Sequence, residues 1–405
     1  MTIKWLLNVK LETNRYTDEQ NYTYTKTDLF HLKITDGKIT EIKSHKERIE
    51  DDFEKLNVDG LLAVPSFKEM HNHLDKTYLG IGWRSCIPAK NLAHRLALEA
   101  KELVELAPTT KKRASEMIET ILSYGSTHIR THVNIDPYIG LKNLEGVLEA
   151  LDVYKGKVTA DIIAFPQHGL LKGEVPALMR EALRSGATMV GGLDPAGIDK
   201  NIEESLNTTM NLAQEFDVDV DFHIHDGGHV GWYTIDKWID MVEEQKFKNR
   251  TAISHAFSIG DIPEEKAVNL AERLAKHDME IMSTVPLNHT NPPIALLSRH
   301  GVQVNFGCDG FFDSWGPYDT GDVLQRATTY CEKNGLKDEN AIAQSLKFIT
   351  RGITPLDETG KQVWPKLNDA ADFVFANAES SANLIAMKLK REAVMLNGNL
   401  VYGKI

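Results

Sequence analysis

The chain has 405 residues, of which 42% are hydrophobic and 26% are charged, as expected for a globular protein large enough for a barrel and an accessory domain. Its formal net charge of −12 argues against nucleic-acid partners and anionic membrane surfaces, because both require a basic face. The three cysteines are widely spaced, which excludes a cysteine zinc knuckle and a disulfide framework. With no signal-peptide pattern and no apolar run of about 18 residues, we expect a cytoplasmic protein.

Both ends of the chain are predicted to be rich in β-strand. Residues 28–42 alternate apolar and polar side chains around Asp36-Gly37, a dipeptide that favours a type I′ hairpin turn. Residues 372–377 and 391–405 repeat this pattern, with Asn397-Gly398 at the turn.

The middle of the chain has a different period. Short apolar runs alternate with longer amphipathic segments such as 264–277, where apolar residues recur every three or four positions. Eight runs in one uninterrupted alternation predict an α/β fold, a (β/α)8 TIM-like barrel, in preference to a doubly wound sheet. The predicted strands are 61–67, 126–133, 159–166, 187–193, 218–224, 250–257, 279–287 and 302–307.

Polar side chains with metal-binding or acid–base chemistry follow nearly every predicted strand. They are His71, His73, His132, Gln167, His168, Asp194, His223, His225, Asp226, His255, His289 and Asp309. One buried histidine usually forms only a structural hydrogen bond. So many at the C-terminal ends of barrel strands predict an active site, because the βα loops gather there.

Two of these groups have the spacing of metal ligands on a strand. His71 and His73 are two residues apart, so their side chains point to the same side and can converge on one ion. His223 and His225 repeat the spacing, and Asp309 adds a hard oxygen that can ligate a metal and accept a proton. Three neutral imidazoles and one carboxylate leave a position open for water, whose pKa a metal lowers toward about 7.

The motifs at these positions resemble those of the amidohydrolase superfamily, in particular its cytosine deaminase branch with the related s-triazine aminohydrolases. They are PSFKEMHNHLDK (65–76), IRTHVN (129–134), AFPQHG (164–169), GGLDP (191–195), DFHIHD (221–226), ISHA (253–256) and FGCDGFFDSW (306–315). The resemblance covers essentially the whole chain. It implies a barrel over residues 61–364 beside a small β-sandwich built from residues 1–60 and 365–405.

The resemblance also implies roles for individual residues. It makes the metal ligands His71, His73, His223 and Asp309. His255 would orient or polarise the attacking water, and Gln167 would hydrogen-bond a ring amide or ring nitrogen. Trp315 would form a stacking wall for a flat heterocycle, with packing at the barrel mouth as the alternative.

The chain departs from cytosine deaminases at two positions. Asp226 stands where those enzymes have a glutamate, and Gly310 stands where they have a second aspartate. His225, Lys76 and Asp194 instead resemble the triazine aminohydrolase pattern. Lys76 would then bind an anionic or carbonyl-rich ring, unless it is an ordinary surface lysine. The identity of the ring is left open.

The expected cofactor is one divalent metal ion. Binuclear members of the superfamily bridge two metals with a lysine in the fourth strand, and the segment ATMVGGLDP (187–195) has none. Zinc is the expected ion, with iron and manganese as alternatives, because imidazole and carboxylate suit all three.

The expected reaction is hydrolytic deamination or dealkylamination of a small nitrogen heterocycle. Asp309 and His255 would activate water, and His225 or Asp226 would protonate a ring nitrogen. The alternatives are hydrolysis of a cyclic amide at the same metal and a metal-binding protein without catalysis. By analogy with the family, a homo-oligomer is expected.

Overall fold

The N-terminal segment of the computed structural model forms five strands. The structure describes residues 3–405; residues 1 and 2, which begin the predicted terminal domain, lie outside the described residues. The strands are β1 (Ile3–Thr17), β2 (Thr23–Thr35), β3 (Lys38–Ser44), β4 (Glu54–Asn57) and β5 (Leu62–Pro65). Asp36 and Gly37 join β2 to β3 with φ of +48° and +80°, which confirms the predicted hairpin.

The next eight strands form the predicted barrel. They are β6 (Phe67–Asn72), β7 (Ser126–Asn134), β8 (Thr159–Phe165), β9 (Met189–Leu193), β10 (Asp219–Ile224), β11 (Thr251–His255), β12 (Glu280–Ser283) and β13 (Gln303–Phe306). Each pairs in parallel with its neighbour in sequence. A parallel bridge between Asn72 and Asp309 brings the end of β6 beside the segment that follows β13.

The prediction that residues 61–67 form the first strand of the barrel is wrong. Its residues form β5, which pairs with terminal strands, and the barrel begins only at Phe67. Leu62 and Val64 pack into the barrel core, whereas Ala63 packs into a second core between the terminal strands. A strand buried on both faces is apolar at every position, so its composition matches that of a barrel strand.

Helices connect the barrel strands. The described residues contain α1 (Leu92–Leu106), α2 (Thr110–Ser123), α3 (Lys142–Val153), α4 (Val175–Arg184), α5 (Ile202–Phe216), α6 (Gly228–Glu244), α7 (Glu264–Lys276), α8 (Ile294–Arg299), α9 (Val323–Lys333), α10 (Glu339–Gln344) and α11 (Ser381–Met387). Among these helices, none is both long and apolar enough to cross a membrane. A long irregular stretch, 73–91, follows β6 and precedes α1 at the end of the barrel that carries the site.

The C-terminal strands complete the terminal sheet. They are β14 (Phe373–Ala376), β15 (Arg391–Leu396) and β16 (Asn399–Gly403). One mixed sheet runs in the order β16-β15-β14-β5-β1-β2-β3, with β4 beside β1. The predicted joining of the two chain ends beside the barrel is therefore confirmed, and it takes the form of one continuous sheet.

Candidate active site

Five histidines cluster at the C-terminal ends of the barrel strands. His71 lies at the centre: the centroid of its ring is 4.6 Å from those of His132 and His223, and 4.7 Å from that of His255. His73 is 5.7 Å from His71 by the same measure. All five side chains are buried. β6, β7, β10 and β11 thus bring together residues that are far apart in sequence.

Hydrogen bonds fix which ring nitrogen of the first two histidines is free. The Nδ1 of His73 lies 2.9 Å from the carbonyl oxygen of His132, which can only accept, so Nδ1 carries the proton. Ser254 donates its hydroxyl to Asp221 (2.6 Å), and its oxygen, 2.8 Å from Nδ1 of His71, accepts the Nδ1 proton of that ring. Both rings therefore present an unprotonated Nε2 to the interior of the cluster.

Asp309 joins the cluster from the loop after β13. Its backbone takes φ +65° and its N–H donates to the carbonyl oxygen of His71 (2.8 Å). Oδ1 lies 3.2 Å from Nε2 of His73 and 3.7 Å from Nε2 of His71, and Oδ2 lies 3.8 Å from Nε2 of His255. Since Nε2 of His71 and of His73 carries no proton, neither ring donates to this carboxylate, and a bound cation would balance its charge.

The donor atoms of the cluster fit a divalent metal ion. Nε2 of His71 and both ring nitrogens of His223 and His255 are buried without a hydrogen-bond partner among the described residues. Burial, together with the neighbouring imidazoles, holds the pKa of His223 and His255 well below the usual value, so both rings are neutral. Unpartnered neutral imidazoles beside an ionised carboxylate form the donor set that zinc and similar ions bind.

Ligand atoms come within 4.8 Å of one another in two groups, His71 with His223 and His255, and His71 with His73 and Asp309. The predicted ligands His71, His73, His223 and Asp309 therefore lie together. His132 is a further buried histidine of the cluster, and its two ring nitrogens have no partner among the described residues. The sequence motifs assign it no role.

A cavity of about 130 Å³ opens onto this cluster. Of the predicted site residues, those that line it are Lys76, Gln167, His225, His255, Asp309, Trp315, His73 and His223. The unpredicted lining residues are Phe165, Leu193, Gly310 and Asp313. Three of the four candidate ligands and most of the candidate substrate-binding residues therefore line one cavity, and His71 lies behind it.

Lys76 is a buried cavity residue and not a surface lysine. Its Nζ donates to Oε1 of Gln167 and lies 3.4 Å from a carboxylate oxygen of Glu99. The ammonium also lies 5.5 Å from the ring centroid of Phe165 and 5.7 Å from that of Trp315. Trp315, with 42% of its surface exposed, donates Nε1 to the same oxygen of Glu99 (2.9 Å) and forms part of the cavity mouth.

His225 is held in the cavity by Asp194. Oδ2 of Asp194 lies 2.8 Å from Nδ1 of His225, and Oδ1 accepts from the backbone N–H groups of His225 (2.6 Å) and Asp226 (3.2 Å). Burial lowers the pKa of His225, but the carboxylate of Asp194 outweighs burial and raises it. Asp194 therefore stands behind His225 and does not line the cavity.

Asp226 also lies outside the cavity wall. Its Oδ2 accepts a hydrogen bond from the backbone N–H of Gly197 (3.2 Å) in the loop after β9. Between the two candidate proton shuttles, the structure thus places His225 in the cavity and directs Asp226 toward a neighbouring loop.

Several residues that support the site were missed in the sequence. Glu69 accepts hydrogen bonds from the backbone N–H groups of His71 (3.1 Å) and Cys308 (3.0 Å), and Asp221 holds Ser254. The signal for both acids was present, because Glu69-x-His71-x-His73 and Asp221-x-His223-x-His225 extend each histidine pair by one more residue of the same strand face. No local pattern marks Glu99, which reaches the site from α1.

Comparison with known proteins agrees with this geometry. The model of the amidohydrolase family matches residues 56–402. The chain is 37% identical over 404 residues to the uncharacterized protein YahJ of Escherichia coli strain K12, and the alignment covers 99% of this chain and 88% of that protein. It is 30% identical over 392 residues to N-isopropylammelide isopropyl amidohydrolase of Pseudomonas sp. strain ADP, with 94% of this chain and 95% of that protein covered.

A solved structure supports the same assignment. N-isopropylammelide isopropylaminohydrolase from Burkholderia multivorans superposes with a TM-score of 0.86 at 26% identity, covering 99% of this chain and 98% of that one. The resemblance read from the motifs is therefore confirmed. The chain belongs to the amidohydrolase family and is a hydrolase of carbon–nitrogen bonds other than peptide bonds.

Proposed function

We propose that this protein removes an amino or alkylamino group from a small nitrogen heterocycle by hydrolysis, with one divalent metal ion held by His71, His73, His223 and Asp309. One observation carries the proposal. A buried cluster of unpartnered imidazoles faces, across one cavity, a wall that carries Lys76, Gln167 and Trp315. The 30% identical relative is named for a substrate of this kind, N-isopropylammelide.

The donor set determines what the ion contributes. A divalent ion bound here supplies Lewis acidity and lowers the pKa of a water toward about 7. Zinc is the ion that we propose, because neutral imidazoles and one carboxylate with an open position are typical of its catalytic sites.

Asp309 and His255 prepare the nucleophile. The carboxylate of Asp309 takes the proton that the attacking water loses. His255, whose Nε2 is 3.8 Å from Oδ2 of Asp309, orients that water toward the ring carbon that bears the amino group. The water oxygen bonds to this carbon while the ring nitrogen takes up electron density.

His225 completes the proton transfers. Asp194 holds its Nδ1, so Nε2 is directed away from Asp194 and is free to donate a proton to the ring nitrogen. The carbon–nitrogen bond to the exocyclic group then breaks, the proton on Asp309 leaves with the amine or ammonia, and the hydroxyl proton on the new ring oxygen returns to His225 as the carbonyl forms. Lys76 and Gln167 hold a ring oxygen, and Trp315 covers one face of the ring.

A substrate panel tests this function. We expect the zinc-loaded protein to release ammonia or an alkylamine from at least one of cytosine, isocytosine, ammelide, a pterin and N-isopropylammelide. Asp309→Ala should retain the fold and lose about 10²–10⁴-fold or more in kcat, because the base is removed. Release of a new carboxylate without an amine would support a cyclic amide hydrolase instead. No product from any compound, with metal bound, contradicts the proposed function.

A further inference from the structure

A tight turn after the last barrel strand fixes one buried carboxylate. The backbone N–H of Asp313 donates to the carbonyl oxygen of Gly316 (3.0 Å). In return, Oδ1 of Asp313 accepts from the backbone N–H groups of Trp315 (2.8 Å) and Gly316 (3.1 Å). Asp313 is 1% exposed and lines the cavity. Its second oxygen, Oδ2, accepts no hydrogen bond from the described residues.

Gly310 makes room for this free oxygen. A Cβ atom built on Gly310 would lie 2.2 Å from Oδ2 of Asp313, well inside contact distance. The carboxylate cannot easily yield, because two backbone N–H groups hold its other oxygen. Any side chain at position 310 therefore displaces Asp313. The aspartate expected at 310 by resemblance to cytosine deaminases is absent, and the carboxylate of Asp313 reaches the cavity in its place.

The cavity thus offers a donor and an acceptor from different loops. Lys76 and the amide nitrogen of Gln167 can donate, and Oδ2 of Asp313 can only accept. A ring edge with an oxygen beside an N–H satisfies both groups, whereas a ring without the N–H leaves a buried carboxylate oxygen unpaired.

We infer that Asp313 determines substrate specificity: its Oδ2 accepts a hydrogen bond from a ring N–H, and it selects rings that pair this N–H with a ring oxygen held by Lys76. This inference rests on the proposed function and adds to it the substrate class, namely lactam-type rings with an unsubstituted ring nitrogen.

Asp313→Asn tests the inference without removing volume. The backbone donors of Trp315 and Gly316 keep the amide oxygen in the place of Oδ1, so the amide NH2 replaces only the free oxygen. An N–H donor then stands where Oδ2 accepted, and it faces the ring N–H, which is also a donor. On cytosine, ammelide and N-isopropylammelide we expect kcat/KM to fall by about 10- to 100-fold for every compound that the wild type hydrolyses.

Ring methylation separates specificity from a structural role. The wild type should hydrolyse the mono-ring-N-methyl derivative that lacks the recognised N–H about 100-fold or more slowly than the parent ring. In Asp313→Asn this ratio should fall to within a few-fold. A merely structural role would lower the rates of parent and methylated rings equally. Thermal melting and metal content should match those of the wild type.

Two glycine variants provide a matched comparison. Gly310→Ala should reproduce the loss of selectivity, because its Cβ displaces the Asp313 carboxylate. Gly316→Ala should keep wild-type selectivity, because no atom lies within 4 Å of the added Cβ. Wild-type turnover with unchanged selectivity in Asp313→Asn and Gly310→Ala overturns the inference alone. Absence of wild-type turnover on the whole panel overturns the proposed function and the inference with it.

Discussion

The two ends of the barrel differ in whether their charged and histidine side chains have partners. At the C-terminal end, the ring nitrogens of His223 and His255 are buried without partners among the described residues. Toward the N-terminal end, the guanidinium of Arg130 lies 3.1 Å from Asp161, 3.3 Å from Asp221 and 3.7 Å from Glu280. Both sets are carried by the same parallel sheet.

This difference indicates that the histidine end binds a ligand and that the paired end stabilises the fold. Buried polar atoms left unpaired cost free energy, so a cluster of them persists where a ligand completes it. Paired charges at the other end need no ligand. The two ends are physically linked, because Asp221 faces Arg130 with one oxygen and holds Ser254, the partner of His71, with the other.

The largest effect is expected at the paired end. Arg130→Ala leaves three carboxylates near one another without their buried cation and should lower the free energy of unfolding by about 3–5 kcal/mol. Arg250→Ala is the control, because Arg250 also pairs with two carboxylates, Asp217 and Asp219, but at the surface. There we expect about 0–1 kcal/mol. Equal losses in chemical denaturation of the two variants would contradict the assignment of Arg130 as a buried structural charge.

The second-largest effect on stability is expected at Glu12, which lies outside the barrel. Glu12 is buried and accepts hydrogen bonds from Ser381, but burial outweighs these bonds and raises its pKa from 4.5 to about 7. The folded protein therefore holds this proton more tightly than the unfolded chain. The resulting stability is complete below about pH 4.5 and is lost as the pH rises to about 7, by about 3 kcal/mol.

Glu12→Gln should remove this pH dependence. At pH 8 the variant should be more stable than the wild type by up to about 3 kcal/mol, and at pH 5 the difference should be small. The exposed Glu149→Gln, which loses only a surface pair with Lys111, should change little at either pH. Denaturation at both pH values checks this. A variant that is less stable at pH 8 would show that Glu12 is ionised and stabilising in the fold.

The smallest effect is expected at Ser254, which links Asp221 of the paired end to His71 of the cluster. Ser254→Ala removes the hydroxyl that fixes the protonated nitrogen of His71, so zinc affinity should fall by about 10- to 100-fold. Ser126→Ala is the control, since Ser126 is also a buried serine on a barrel strand but its hydroxyl has no partner among the described residues. Competition with a chromogenic chelator measures both. Unchanged zinc affinity in Ser254→Ala would show that the hydrogen bonds from His71 through Ser254 to Asp221 do not contribute to metal binding.

Much of the fold could be predicted because it depends on local periodicity. The alternation of apolar runs located seven of the barrel strands, and the dipeptides at 36–37 and 397–398 located two hairpins. The run 61–67 was misassigned because burial between two cores and burial in a barrel produce the same composition. Pairing partners, and not composition, distinguish the two environments.

The histidines of the site were found because strand ends of a barrel converge, whereas its remaining walls depend on long-range packing. Glu99 reaches Lys76 and Trp315 from α1, and no spacing in the sequence connects these three positions. The place of the Asp313 carboxylate depends on the missing side chain of Gly310, a steric relation between two positions that no local sequence pattern shows.

The metal content of the purified, zinc-loaded protein tests the proposed centre most directly. After removal of free metal, elemental analysis should find one divalent ion per chain in the wild type and a much smaller amount in His223→Ala, with β9 providing no lysine to bridge a second ion. Two ions per wild-type chain, or the same content in His223→Ala, would contradict a single centre held by His71, His73, His223 and Asp309.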